Sequence, residues 1–360
     1  MSVDFSLLPD GGLSWLDGSG PESHVVLSTR IRLARNLERR PFTVRAEPSD
    51  LLAARSQIGD AARETTALRD AAVFAVDDLE LIERQLLHER HMISRELAGL
   101  ERQAAVRPGA SLLTNGQIGV MVNEEDHVRM QVLRSGFDLS ASYRELERVD
   151  TELGGQLPFA FHPEFGYLTA CPTNAGTGLR ASVLIHLPGL VLTKEIAKVL
   201  QGLAQVGLTF RGLYGEGSEV VGNFFQLSNQ TTLGKCEEDL LDHLESMVRQ
   251  VVDYEEQARD VLQRDAPSVI ADKVWRAYGL LRYARSLSFE ETMNLLSGVR
   301  LGLGLNLIRD VSVYTLNKLL ILTQPAHLAA QDGRALSDPT LPVSRATFVR
   351  QMLESDAARG

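Results

Sequence analysis

The periodicity of the apolar residues changes once along the chain, near Cys236, and that change restricts the fold more than any other feature. Between Val25 and Lys235, short runs of period-two alternation are interspersed with helical stretches. Arginine and aliphatic residues alternate through Arg30, Ile31, Arg32 and Leu33 in "STRIRLARN". As a strand, this places two guanidinium groups on one face and two aliphatic side chains on the other. "GVMVNEEDHVRMQVL" reads as two extended segments around a polar turn, and "FAFHPEFGYLTACPTN" and "ASVLIHLPG" read as strands. "TKEIAKVLQGLAQVG" is helical, with Ile196, Val199, Leu200 and Leu203 on one stripe. "GLTFRGLYGEGSEVVGNFFQLSN" reads as strand, glycine-rich loop, strand. Beyond Cys236, Leu240, Leu244, Val248, Val251, Ala258 and Val261 recur at helical spacing up to Pro267, and helical patterns continue to about Ala330. The expectation is an α+β part followed by a smaller helical one. The spans are an irregular lead-in over 1–24, a catalytic domain over 25–250 and a helical domain over 251–360.

Bulk properties exclude several function classes. The chain of 360 residues can bury a sizeable core. No run is apolar enough to cross a bilayer, because "LLSGVRLGLGLNLI" is short and carries Arg300. "MSVDFSLLPDGG" lacks a basic region ahead of a hydrophobic one, so no secretory signal is expected. Cys171 and Cys236 cannot build a disulfide framework. These features lead to the expectation of a cytoplasmic protein with no membrane partner. A formal net charge of -10 also argues against direct binding of nucleic acid.

Four segments carry potential chemistry. They are "STRIRLARN"; "VNEEDHVRM", with Glu124, Glu125, Asp126, His127 and Arg129; "CPTNAGTGLRAS", with Cys171, Asn174 and Arg180; and "FRGLYGEGSE", with Arg211, Glu216 and Glu219. Each has a bland explanation alone: a solvated acidic turn, a proline-bearing turn with a core cysteine, a flexible glycine loop, paired surface arginines. Together they place arginines and separate glutamates at strand ends and loops. Arg30 and Arg32 would repel each other unless an anion lay between them, and the fork of an arginine suits phosphate. No "GxxxxGK[ST]" phosphate loop exists, so a nucleotide site here is not of the P-loop kind. "GVRLGLGLN" has Leu307 where a dinucleotide fingerprint needs a third glycine, and it reads as helix packing. Carboxylates beside such a phosphate site make sense if the second substrate is a cation. A guanidinium, with a pKa above about 12, must be oriented and must lose a proton as it attacks phosphorus.

These four segments, in this order over roughly residues 24–235, resemble the phosphagen kinases, the ATP:guanido phosphotransferases. "CPTNAGTG", "NEEDH" and "RGxxGExSE" are similar to that family's active-site motifs. The resemblance implies an antiparallel sheet flanked by helices, with ATP and Mg2+ as cofactors. It implies that Arg30, Arg32, Arg129, Arg180 and Arg211 bind the phosphates. Glu125 would be the catalytic base, Glu216 the second guanidinium-holding carboxylate, and Cys171 a thiolate against the guanidinium, its pKa lowered by neighbouring positive charge. The nucleotide-binding set implied is Ser28, Thr29, Arg30, Ile31, Arg32, His91, Arg129, Arg180, Ala181, Ser182, Val183, Leu184, Arg211, Gly212, Leu213, Tyr214 and Gly215. His91 would contact the base, and Leu184, standing where small-substrate members have a histidine, would make the adenine packing apolar. No protein ligand for a metal is assigned.

Small-substrate members carry a helical domain ahead of the "STR" segment; here that segment begins at Ser28, and a helical region follows the kinase motifs instead. The arrangement is similar to the bacterial branch of the family that phosphorylates arginine side chains in proteins. The resemblance therefore implies protein substrates, marking for a Clp-type AAA+ protease, an activator protein and a homodimer. The alternative is a kinase for a small free guanidino compound; a non-catalytic adaptor that only binds arginine side chains has no use for a full phosphate clamp. In the protein-phosphorylating branch an Arg-Asp-x-x-Arg-Ala segment helps form a phosphoarginine pocket. Arg345 and Ala346 retain its end, but Leu341 and Pro342 replace the Arg-Asp pair, which leaves Arg345 as a helix-surface residue; Asp332 and Arg334 are weaker substitutes.

Overall fold

The computed structural model of the chain describes residues 3–101, 105–213 and 220–357. The lead-in is a series of single helical turns within residues 5–16, and it is not merely peripheral: Leu8, Trp15 and Leu16 are buried. Ten strands follow in chain order: β1 Val26–Arg35, β2 Ala72–Ala75, β3 Ser111–Thr114, β4 Ile118–Val122, β5 Val128–Ser135, β6 Phe161–His162, β7 Gly166–Tyr167, β8 Leu179–His186, β9 Leu208–Arg211 and β10 Phe224–Asn229. All except the small β6–β7 hairpin form one eight-stranded sheet, in the order β2-β3-β4-β5-β1-β8-β10-β9. Every pairing in it is antiparallel. The long run "FAFHPEFGYLTACPTN" contributes only that hairpin, because Pro163 and Pro172 interrupt any extended ladder.

The helices are α1 Pro48–Glu64, α2 Leu81–Glu89, α3 Leu139–Gly154, α4 Pro188–Leu192, α5 Ile196–Gln205, α6 Glu237–Asp265, α7 Pro267–Tyr283, α8 Phe289–Gly304, α9 Val313–Leu322, α10 Pro325–Asp332 and α11 Leu341–Ala357. α1, α3, α5 and α6 cover one sheet face. Ile31, Leu33, Ala181, Val183 and Ile185 on the strands meet Ile58, Leu146, Leu200 and Leu244 on the helices there. The alternation read from residues 30–33 explains this: Ile31 and Leu33 point into that core. Truncating one such Ile or Leu to Ala costs about 2–5 kcal/mol.

α6 runs unbroken for 29 residues, so position 250 falls inside a helix and not at a hinge. α7 to α11 form a second core, in which Val274, Leu281, Met293, Val299, Leu319 and Val349 pack together. This core is continuous with the sheet through Leu184, Leu213 and Phe224. "GVRLGLGLN" belongs to α8, and a Cβ on Gly302 would lie 2.4 Å from Val274, so the glycine permits close helix packing. Arg345 is not a helix-surface residue: it is 3% exposed and donates to the carbonyls of Thr323 and Leu287. Its guanidinium ties α11 to the segments before α8 and α10. Asp332 and Arg334 line a separate cavity of about 520 Å³ between α10 and α11.

Candidate active site

Antiparallel register decides which side chains share a face, since directly opposed residues point the same way. On β1 and β8, Arg30 opposes Ser182 and Arg32 opposes Arg180. On β1 and β5, Arg32 opposes Gln131 and Ala34 opposes Arg129. Gln226 on β10 opposes Leu184 on one side and Arg211 on the other. The five arginines therefore lie on the sheet face opposite the main core. All of them line one cavity of about 280 Å³, together with Glu96, Glu124, Glu125, Cys171 and Asn174.

The cationic floor is under strain. Burial, then Arg129 and Arg180, pull the Arg30 guanidinium down to about 10. Burial and the same neighbours pull Arg32 well below its ordinary range. Arg30 donates to Gln226 Oε1 at 2.9 Å, and Arg32 Nε is buried without a hydrogen-bond partner. Among the described residues neither has a carboxylate within 4.0 Å. Arg35, five positions on, shows the contrast. It points to the core side and is saturated: Asp150 takes two of its N–H groups at 3.0 and 2.7 Å, and the Ala34 and Thr177 carbonyls accept from Nη1. Arg35 is held by protein acceptors, whereas Arg30 and Arg32 turn toward the cavity.

The "NEEDH" turn joins β4 to β5 and holds two carboxylates in different states. Glu124 is buried, and burial works to raise it. Arg129 Nη1, which lies 2.8 Å from both its oxygens, outweighs this and keeps it below the ordinary range. Glu125 is half-buried, and burial, then the neighbouring Glu124, push it up to about 7. Such a carboxyl is poised to take a proton near neutral pH. Asn174 donates to Glu125 Oε2 at 3.5 Å, and the Thr43 hydroxyl bonds its carbonyl. Asp126 and His127 are framework. Asp126 accepts from Asn36 at 2.6 Å and from the Ala170 backbone at 2.7 Å, which fastens the turn to the segment bearing Cys171. Burial takes His127 down to about 4, so its neutral ring accepts from Leu37 N at 3.2 Å. Cys171 Sγ lies 3.0 Å from Thr173 Oγ1.

Beside the floor is a narrow slot lined by Trp15, Ser28, Arg30, His91, Leu133, Ser182, Leu184, Leu213 and Gln226. His91 has φ +60° and is buried; burial, then Arg30, hold it well below the ordinary histidine range, so the ring is neutral. Gln131 fixes this left-handed turn by donating to the carbonyls of His91 and Met92 at 3.0 and 3.1 Å. Trp15 meets His91 edge to face at 5.5 Å between centroids.

Of the residues read from sequence, the structure gathers Arg30, Arg32, Arg129, Arg180, Arg211, Glu125 and Cys171 in the cavity, and Ser28, His91, Ser182, Leu184 and Leu213 in the slot. It does not bring the side chains of Thr29, Ile31, Ala181 and Val183 there. Thr29 donates to the Gly136 carbonyl, and the other three are core. These four border the site through backbone alone. Gly212 follows β9 next to Arg211. Tyr214, Gly215 and Glu216 lie outside the described residues. The sequence reading missed Trp15, Gln131, Gln226 and Glu96. Gln131 and Gln226 were discoverable as polar residues in period-two step with Arg129 on β5 and Ser228 on β10.

Glu96, Glu124 and Glu125 place carboxylate oxygens within 4.8 Å of one another. Two of the three are committed, Glu124 to Arg129 and Glu96 to Arg107 at 2.7 Å. The donor set thus suits a cation that arrives already bound to phosphate better than one caged by protein.

Comparison with known proteins agrees with this geometry. Residues 55–258 match the family described as ATP:guanido phosphotransferase, C-terminal catalytic domain, and residues 267–359 match the protein-arginine kinase McsB C-terminal domain. A protein-arginine kinase of Symbiobacterium thermophilum is 44% identical over 95% of this chain and 96% of its own length. One from Brevibacillus brevis is 42% identical over 94% and 95%. Among solved structures, the duplicated taurocyamine kinase from Schistosoma mansoni with bound transition state analog components superposes with a TM-score of 0.59. It is 28% identical over 71% of this chain and 35% of that one. Lombricine kinase, at 22% identity, 70% of each chain and a TM-score of 0.55, shares the fold. The chain belongs to the protein-arginine kinase family, with a catalytic domain of the ATP:guanido phosphotransferase type.

Proposed function

We propose that this site transfers the γ-phosphoryl group of ATP, presented as its Mg2+ complex, to a guanidino nitrogen of an arginine side chain in another protein. The N–P bond forms as the bond from phosphorus to the β-phosphate oxygen breaks; ADP leaves, and the displaced guanidinium proton passes to Glu125. The observation that carries the reading is a carboxyl held near 7 in a cavity lined by five arginines. Arg30, Arg32, Arg129, Arg180 and Arg211 would hold the triphosphate and take up the charge that spreads over its oxygens in the transition state. Arg129 is anchored by Glu124. Glu125, with Asn174 beside it, orients the guanidinium; Cys171 lies on the same wall, and Glu216 is assigned the second guanidinium contact. Bound Mg2+ would shield phosphate charge, held mainly by phosphate and water.

Further roles rest on family likeness: marking of substrates for a Clp-type AAA+ protease, response to an activator protein, a homodimer through the helical region, and a cytoplasmic location. No helix among the described residues is long and apolar enough to cross a membrane.

The test is to incubate the chain with Mg-ATP and, separately, an arginine-rich protein and free arginine. Intact mass then reports one added phosphoryl group, and acid lability distinguishes a phosphoramidate from a phosphoester. Acid-labile label on the protein supports the reading. Turnover of free arginine alone replaces it with a small-substrate kinase.

A further inference from the structure

Trp15 belongs to the lead-in, outside every motif of the phosphotransferase, yet it forms a wall of the slot beside the arginine floor. Its position is enforced from outside the sheet. Leu13, Leu16, Leu133 and Ile321 surround it, and Asn317 on α9 donates to the Leu16 carbonyl at 2.8 Å. The helical domain thus presses the lead-in against the edge of the site. Trp15 is 3% exposed, and its indole N–H is buried with no hydrogen-bond partner among the described residues. A buried tryptophan ordinarily finds an acceptor, and leaving the donor unmet is destabilising. A residue serving only to pack that corner could have been phenylalanine, without this cost.

The slot already has the other elements of a base site: apolar faces from Leu133, Leu184 and Leu213, a neutral His91, and polar groups from Ser28, Ser182 and Gln226. A purine is flat and apolar on its faces, and its ring nitrogens are acceptors without protons. Resting on the assignment of ATP to this site, we propose that Trp15 is a base-recognition residue that donates its indole N–H to a ring nitrogen of the purine. The slot has about 10 Å³ of free volume, room for no more than a water, so a base enters only as the side chains lining it, Trp15 among them, shift. Nucleotide occupancy is thereby felt by the lead-in and by α9.

The chain has two tryptophans, Trp15 and the half-exposed Trp275. That permits a direct test with the full-length protein. Trp15→Phe keeps a ring and removes the donor. Its KM for ATP should rise about 3- to 10-fold with kcat within twofold of the parent, as expected for one neutral hydrogen bond. Among 1-deaza-, 3-deaza- and 7-deaza-ATP, one analogue should show the same rise on the parent chain and no further rise on Trp15→Phe. Should Trp15→Phe fold poorly, the Trp275→Phe chain reports Trp15 emission alone. That emission should change saturably with Mg-ATP and stay constant with magnesium tripolyphosphate. An unchanged KM, deaza penalties identical in both chains, or emission indifferent to saturating ATP would overturn the assignment. Loss of phosphoryl transfer by the parent chain would instead strike the reading of the whole site.

Discussion

The arginine floor and the base slot sit side by side on one sheet face, but they are made differently. The floor is built by strand register alone. Arg30, Arg32, Arg129 and Arg180 come from three neighbouring strands whose pairing fixes both spacing and direction. The slot is assembled from pieces with no common element: Trp15 from the lead-in, His91 from a left-handed turn after α2, Leu184 from β8 and Leu213 from the loop after β9. Its outer wall is clamped by the helical domain. Glu89, buried next to the His91 turn, accepts from the backbone N–H groups of Ala326 and His327 at 3.0 and 3.2 Å and from His327 Nδ1 at 2.8 Å. Arg90 donates to the other nitrogen of that ring at 3.0 Å. A rigid floor suits stabilising a transition state, where geometry must not yield. A borrowed wall suits a binding subsite whose strength the helical domain can alter.

If the distinction holds, changes in the floor should lower kcat, and changes in the slot should raise KM for the nucleotide. The largest effect belongs to Glu125→Gln, which removes the proton acceptor. kcat should fall by about 10²- to 10⁴-fold, with Mg-ATP binding by calorimetry nearly unchanged. Arg129→Lys should follow, with kcat down about 10²-fold, because a point charge replaces the fork that Glu124 aims. A melting temperature within a few degrees of the parent would separate this from a folding defect. Glu89→Gln should be milder, raising KM for ATP about 10-fold while kcat holds. It keeps the side-chain shape but loses the charge that receives the α10 N–H groups. A kcat loss with unchanged KM would break the comparison.

The smallest effect is a pH dependence. Burial and Glu124 raise Glu125 to about 7, so below that pH the free enzyme carries it protonated and unable to accept. kcat/KM should therefore fall about tenfold per unit as pH drops below 7 and level off above it. A bound guanidinium favours the ionised carboxylate, so the same limb in kcat should lie at lower pH.

Legibility in the sequence follows the same division. Period-two alternation exposed Arg30 and Arg32; Arg129, Arg180 and Arg211 and the role of Glu125 were reached through family likeness. Thr29, Ile31, Ala181 and Val183 fit the motifs by position, but alternation itself sends their side chains into the core. The slot was only partly legible. His91 and Leu184 were reached through family likeness, whereas Trp15 depends on contacts with α9 that no local pattern encodes. Arg345 was misjudged for a related reason: its acceptors are carbonyls at Leu287 and Thr323, distant in sequence and invisible to helical periodicity. Similarly, nothing in "AVFA" or "SLLT" announces that β2 and β3 extend the sheet past β4.

The most direct measurement is a structure of the chain with Mg-ADP, a planar trigonal anion in the γ-phosphoryl position and an arginine-containing peptide. The account predicts the anion on the floor among Arg30, Arg32, Arg129 and Arg180, with a guanidino nitrogen within about 2.6–3.2 Å of the Glu125 carboxylate and in line with the anion. A peptide guanidinium bound away from Glu125, or a nucleotide whose phosphates avoid that floor, would contradict it.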